Sequence, residues 1–416
     1  FLSYRGLDTR KGACEYYRSL GAVEGCDSTG RFTGKSISLD DFNRRNGLAP
    51  YNKSPELTAF YVNQFDLNLV RDMHAIQLAP DHIAFNVCNF PGPQSTSGDG
   101  APVVPGVETP AEIDLAIENA RRGIGMVACV AMDYSVTPGL NNGTPFTKFY
   151  IFGPSGELIP SISLDGHREK FMPGACVSCH GGQDYVGRFP NTTGPTSIPA
   201  SPVTGLPNIR SHFLPFDLGN FAFSRSSGMR EVDLQHTFRK LNELVSLTDA
   251  TPDTKNLIAE WYKKAGPDDA PDKTYIHPDW NNDPADRDFY QKIISRSCRT
   301  CHTAWDPDQS FIHDQSLFDQ RCNPLSLKYD PTSCPTTPKS NSDIGIFDSL
   351  STAVCGGWEH LNRNHTMPNA LVAAYRLRND PILQNTFTNY VNTRRDPSSS
   401  AVCLPSPVPP NRHPAP

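Results

Sequence analysis

Two five-residue segments constrain this chain more than anything else in it: Cys176-Val177-Ser178-Cys179-His180 and Cys298-Arg299-Thr300-Cys301-His302. Two thiols separated by two residues fall on one side of a helical turn, and an imidazole follows at once. That order suits covalent attachment of a porphyrin. The thiols form thioethers with two vinyl groups, and the histidine reaches the iron from the same side. A structural zinc site would pair Cys-x-x-Cys with a second such unit or a histidine pair, with no need of His directly after each. A thioredoxin-like pair would occur once, beside a βαβ pattern. The expectation is two covalently bound haem c groups, held by Cys176 and Cys179 and by Cys298 and Cys301. His180 and His302 are the expected proximal iron ligands.

Eight of the 12 cysteines lie outside these segments: Cys14, Cys26, Cys88, Cys129, Cys322, Cys334, Cys355 and Cys403. Eight cysteines allow 105 connectivities. Proximity along the chain suggests Cys14–Cys26, Cys88–Cys129, Cys322–Cys334 and Cys355–Cys403. Disulfides persist in oxidising compartments, and covalent haem is assembled outside the bacterial cytoplasm. Both point to the periplasm, the cell surface or the extracellular medium. The sequence begins at Phe1 and shows no signal peptide, as expected of a processed mature form.

With 416 residues the chain has room for two or three domains. Charged residues make up 20% and the net charge is −6, so nothing in the balance calls for nucleic acid. The longest apolar run, Gly123 to Met132, is about half of what a membrane span needs. No transmembrane segment is expected. The fold class expected is α+β: an N-terminal mixed α/β scaffold followed by mainly helical, loop-rich, cytochrome c-like haem-binding regions. The expected divisions are a haem-free scaffold over 1–165, a first haem-binding region over 166–275, a second over 276–403 and a Pro-rich tail over 404–416.

In the scaffold, Ala84–Phe90 and Gly125–Tyr134 read as strands, and Lys148–Phe152 with Glu157–Ile162 as a hairpin. Thr109-Pro110-Ala111-Glu112 reads as a capped helix start, the helix ending near Arg122. Beyond the scaffold, Leu234, Phe238, Leu241 and Val245 define an apolar helix face. Thr251-Pro252 opens a helix running to Gly266, and Asp283-Pro284 opens one that leads into the second Cys-x-x-Cys-His. A further helix is expected over Pro368–Arg378.

What an iron does depends on its sixth ligand: methionine raises the potential, a second histidine lowers it, and an open face permits chemistry. For the second iron the choice is Met367, in Thr366-Met367-Pro368, where the proline fixes a helix entry. His365 and His360 are its rivals. For the first, His74 is preferred, with His212 and Met73 as alternatives. Met172 is tied too closely to Cys176 to serve its own haem. His236 falls on the polar side of its helix and should be exposed.

These segments also carry a resemblance. Arg71-Asp72-Met73-His74, the Cys-His-Gly-Gly ending at Gly182, His212-Phe-Leu-Pro-Phe-Asp-Leu218, Ser297-Cys-Arg-Thr-Cys-His302 and Met367-Pro-Asn-Ala370 occur in that order. The chain thereby resembles a group of large secreted bacterial di-haem proteins with cytochrome c domains. At the last motif Asn369 stands where that group is expected to carry histidine. The resemblance implies fold and haem content and no particular activity.

The expected function is electron transfer outside the cytoplasm through one His/Met and one bis-His haem. The partner would be a redox protein or terminal acceptor presenting a basic patch. Two alternatives remain open. A di-haem peroxidase-like enzyme also carries two such motifs, but this chain lacks the Leu-Gly-Arg-x-Leu-Phe-Phe-Asp type of lead-in. A structural subunit of an extracellular cytochrome assembly would suit the Pro-rich tail and the disulfides, with self-assembly as its consequence.

Overall fold

The computed structural model describes residues 9–51, 56–94, 107–163, 169–181, 208–264, 269–281, 283–304, 376 and 380–394. The helix expected over Pro368–Arg378, the pairs Cys322–Cys334 and Cys355–Cys403, and the tail over 404–416 lie wholly or mainly outside these residues.

The chain builds mixed helices and a six-stranded antiparallel sheet. Strands β3 (Leu57–Asn63), β4 (Leu69–Ala79), β5 (His82–Phe90), β6 (Ala128–Ser135) and β7 (Phe146–Phe152) follow one another as neighbours, after a small hairpin of β1 (Val23–Cys26) and β2 (Phe32–Ser36). Antiparallel neighbours joined in sequence need only short connections, and Pro80-Asp81 is all that links β4 to β5. The expected strands are β5 and β6. The expected hairpin is β7 with a bridge from Phe152 to Leu158. Further on, β8 (Ser161–Ile162) pairs with β9 (Lys170–Phe171), and β10 (Phe221–Ala222) adds to the free side of β3.

Side chains alternate between the two faces of a strand, and both faces of this sheet are covered. On one face Val62, Val70 and Phe90 pack against Ile113, Ala116, Ile117 and Ala120 of α3 (Pro110–Arg121). Thr109 and Glu112 cap α3 reciprocally, as the sequence indicated. On the other face Tyr61, Met73, Phe85 and Ile151 meet α4 (Gly174–His180) and α5 (Glu231–Ser246) in one continuous apolar cluster. Leu234, Phe238, Leu241 and Val245, the expected apolar face of α5, are all buried.

The edge strand β7 would expose unpaired backbone donors, which invite pairing with another chain. Helix α1 (Arg10–Ser19) closes that edge. The Tyr16 hydroxyl accepts from the Phe149 N–H at 3.0 Å, and the Tyr17 hydroxyl from the Ile151 N–H at 3.1 Å. Cys14–Cys26 ties α1 to β1, and Cys88–Cys129 joins directly opposite residues of β5 and β6. Both expected pairings within the described residues are present.

The expected boundary at residue 165 falls within one continuous apolar cluster. The main cluster runs from Ala13 to Trp261 and contains Phe149, Cys176, Phe213 and Phe238 together. The first Cys-x-x-Cys-His therefore sits inside the scaffold's own core. β10, contributed from beyond the division, even completes the sheet. A second cluster joins Trp280, Phe289, Tyr290, Ile293 and Ile294 to Leu383, Phe387 and Tyr390. Helix α6 starts at Pro252 as expected and ends at Tyr262, short of Gly266. Asp283 caps α7 (Pro284–Phe289) by accepting from the Ala285 and Asp286 N–H groups. The helix then continues as a π segment over Tyr290–Cys298 and returns to α-form in α8 (Arg299–His302). Among the described residues no helix is long and apolar enough to cross a membrane.

A buried ion pair links the last two long strands. Lys148 and Asp133 lie directly opposite each other, their side chains both 1% exposed, with Nζ 3.4 Å from Oδ1. Nζ also donates to the Ser135 carbonyl and hydroxyl and to the Phe146 carbonyl. Removing one partner leaves an uncompensated buried charge. Asp133→Ala is expected to cost about 3–5 kcal/mol in denaturant unfolding. Asp133→Leu combined with Lys148→Met should recover most of that loss.

Candidate cofactor site

Helix α4 carries Cys176, Cys179 and His180 on the turn that follows β9. All three line a cavity against the sheet, walled by Met73, Phe85, Val130, Met132 and Ile151, with Phe213, Phe216 and Phe221 alongside. The wall is largely apolar, which suits a flat hydrophobic ligand. Thr300, from the second Cys-x-x-Cys-His, lines the same cavity.

His180 is held in a defined tautomer. Its Nδ1 lies 2.7 Å from the His212 carbonyl oxygen. A carbonyl only accepts, so Nδ1 carries the proton and Nε2 keeps its lone pair. The ring also packs edge-on against Phe149, with centroids 5.0 Å apart. Burial pulls the His180 pKa down to about 4, outweighing the hydrogen bond to His212, which acts upward. His302 falls to about 4 by burial alone. Both imidazoles are thus neutral at pH 7, the form that ligates iron. An outer-shell carbonyl on Nδ1 is how ligating histidines are commonly oriented.

None of Cys176, Cys179, Cys298 and Cys301 is in a disulfide. Burial pushes the Cys176 thiol up and raises Cys298 to about 12. Reactive or redox-catalytic cysteines have the opposite character, a depressed pKa in an electropositive setting. Among the described residues no group of three or more His, Cys, Asp or Glu is arranged to hold a metal ion directly. This donor set does not resemble a zinc site or a thiolate catalyst. Two buried cysteines beside a neutral imidazole with an unprotonated Nε2 fit the covalent haem expected from the motif. Cys176, Cys179 and His180 would hold one such group, and Cys298, Cys301 and His302 the other.

The structure places His74, the expected sixth ligand of the first iron, away from this cavity. On β4, Arg71 and Met73 face the cavity, so His74 lies on the opposite face of the strand. There Glu56 lies 2.8 Å from Nδ1 and Asp72 3.1 Å from Nε2. Burial would lower the His74 pKa, but Asp72 and Glu56 together raise it above its ordinary value. Its two ring nitrogens thus both face carboxylates. The His212 backbone carbonyl accepts from His180, and its ring lies 3.9 Å from Asp249. The thioethers that face the cavity are Met73 and Met132, 5% and 8% exposed. Met132 sits directly opposite Phe149, the residue packed on His180. The alternation of β6 was the signal for it: Val130 and Met132 share one face, and Cys129 turns to the other. Met172 places its sulfur 3.6 Å from Cys176 Sγ. His236 is exposed as expected and pairs with Asp269. Met367, His365 and His360 lie outside the described residues.

The second motif is anchored through an intervening residue. Arg299 is buried and pairs with Asp217, its Nε 3.1 Å from Oδ2. Its guanidinium also lies over the rings of Trp261 and Tyr290. The π segment ends on Cys298, whose backbone is non-helical before α8 begins. π-Helical turns are frequent where a helix must re-aim a functional side chain.

No protein-family model, no curated protein and no solved structure matches this chain.

The neutral buried histidines make a pH prediction for the haem-free chain. The unfolded state takes up protons near pH 6.5, whereas His180 and His302 in the folded state resist until about pH 4. Between those values the unfolded chain binds more protons, so stability falls as the pH falls. Each histidine should remove on the order of 3 kcal/mol across that window. Urea unfolding at stepped pH should show a shallower loss for His180→Gln than for the parent chain.

Proposed function

We propose that this chain is a di-haem c-type cytochrome that passes single electrons outside the cytoplasm. One haem is carried by Cys176, Cys179 and His180, the other by Cys298, Cys301 and His302. The observation that carries the reading is the hydrogen bond from His180 Nδ1 to the His212 carbonyl. It leaves Nε2 unprotonated on a histidine that lines, with both neighbouring thiols, a largely apolar cavity. Two intact disulfides support an oxidising location, periplasmic or extracellular.

The bound haem supplies a one-electron iron couple. The chain's own residues set the conditions for that couple. The aromatic and aliphatic wall keeps water from the buried side of the first site. The His212 carbonyl increases the basicity of His180. Met73 or Met132 offers a thioether to the first iron, in place of the second histidine expected from sequence. Met367 remains the proposed sixth ligand of the second iron. The net charge of −6 favours a redox partner with a basic docking patch, and that attraction should weaken with salt.

The test is haem content and ligation in the exported protein. Haem staining after denaturing electrophoresis and intact mass should both report two covalent haems. Cys176→Ala with Cys179→Ala should leave one. His74→Ala should leave the visible spectrum unchanged. Met73→Ala or Met132→Ala should open one iron to carbon monoxide. Fewer than two covalent haems in the parent chain would overturn the proposal. Rapid carbon monoxide binding by the unaltered protein would move it to the peroxidase-like class.

A further inference from the structure

The turn between β3 and β4 carries Phe65, and two guanidinium groups from distant parts of the chain rest on its ring. The Arg376 guanidinium carbon lies 3.7 Å from the ring centroid, and that of Arg296 lies 5.3 Å from it. Arg296 belongs to the π segment. Arg376 stands just before α9 (Pro381–Arg394), its carbonyl accepting from the Asp380 N–H. Each cation is attracted to the ring face, but the two repel each other.

Among the described residues neither arginine pairs with a carboxylate. Arg376 is 7% exposed, and its buried Nη1 has no hydrogen-bond partner there. Arg296 is half-buried and donates to the uncharged Asn220 side chain at 3.3 Å. The carboxylates around them are engaged elsewhere. Asp217 pairs with Arg299, Asp66 accepts from Asn63 and Arg71, and Glu108 accepts from Gln64. Asp380 accepts from the Ile382 and Leu383 N–H groups at the start of α9. Burial, joined by the charge on Arg296, pulls the Arg376 pKa down to about 10 against the upward pull of Asp380 and Glu108. A buried N–H of a charged group is costly without an acceptor, and a bound ion is one way it is satisfied. Guanidinium forks match the oxygens of phosphates and carboxylates.

We propose that Arg296 and Arg376, on the platform of Phe65, bind a small free oxyanion of the phosphate or carboxylate type. The anion accepts from both guanidinium groups and supplies a counter-charge to them. Burial of Arg376 limits the ligand to a small one, because a macromolecular surface could not reach Nη1. Asp66 and Leu67 of the same turn line the cavity described above. The bound anion thus joins the π segment and the approach to α9 to the turn that forms one side of that cavity. This goes beyond the covalent-haem reading and stands on separate residues.

The experiment is equilibrium dialysis of labelled inorganic phosphate against the full chain, in a zwitterionic buffer with chloride holding the ionic strength constant. Saturable binding at one site is expected. Arg376→Gln should weaken it about ten- to a hundredfold, as loss of a hydrogen bond to a charged group does. Arg296→Gln, at the less buried position, should weaken it in the same direction. Arg376→Lys keeps the charge without the fork and should fall between the parent and Arg376→Gln. Each variant is first shown by far-ultraviolet circular dichroism to keep the parent's fold. No saturable binding by the parent, or equal affinity in the parent and both Gln variants, overturns the proposal. Binding confined to Cys298→Ala with Cys301→Ala also overturns it, because the parent's anion would then be a carboxylate of a group attached at the second motif.

Discussion

The pairing of Arg299 with Asp217 governs how the second half of the molecule meets the first. Burial would lower the arginine's pKa, but the adjacent carboxylate more than offsets this, so the guanidinium stays charged. A charge in the interior is tolerable only with its counter-charge and further contacts in place. Here the guanidinium lies against the rings of both Trp261 and Tyr290, so α6 and the π segment are drawn to the same point. Asp217 lies between the His212 strand-like segment, which orients His180, and Asn220, which binds the π segment. One ion pair thus relates the proximal side of the first site to the helix bearing the second. Arg299 is also an intervening residue of its own motif, a position that the attachment chemistry leaves unconstrained. The fold has used that freedom for docking.

The sheet depends on a different economy of contacts. Because both faces are covered, β4 to β7 carry apolar side chains on both sides, and simple alternation is blurred. Charged residues within it, such as Asp133 and Lys148, are accommodated as directly opposed partners. The tyrosines of α1 complete the backbone hydrogen bonding of β7, which leaves the short β10 at the opposite edge.

Local signals in the sequence were read well where one short-range rule decides the outcome. The Thr109–Glu112 capping box, the Asp283 cap, the apolar face of α5 and the neighbouring pairs Cys14–Cys26 and Cys88–Cys129 all occur in the structure. Strands β3 and β4 were not recognised, because Asp72 and His74 interrupt the apolar pattern, and His74 is paired with Asp72 two residues before it and with Glu56, which lies outside both strands. In sequence, Met73 and His74 are equivalent neighbours, and only the register of the sheet decides which one faces the cavity. The boundary at 165 follows chain order alone. Chain order places the first Cys-x-x-Cys-His after the scaffold, whereas packing inserts it between the sheet and α5.

The burial of Cys176 and Cys179 bears on the order of events during maturation. Both sulfurs are shielded by the sheet on one side, and Cys179 is shielded further by the second motif. Any chemistry that must reach both of them needs a chain that has not yet closed. The segment from β10 to α8, which seals the site through Asn220 and Arg299, follows the first motif in the chain. A chain emerging N-terminus first would present Cys176 and Cys179 while that cover was still to come, giving modification a window that final folding ends.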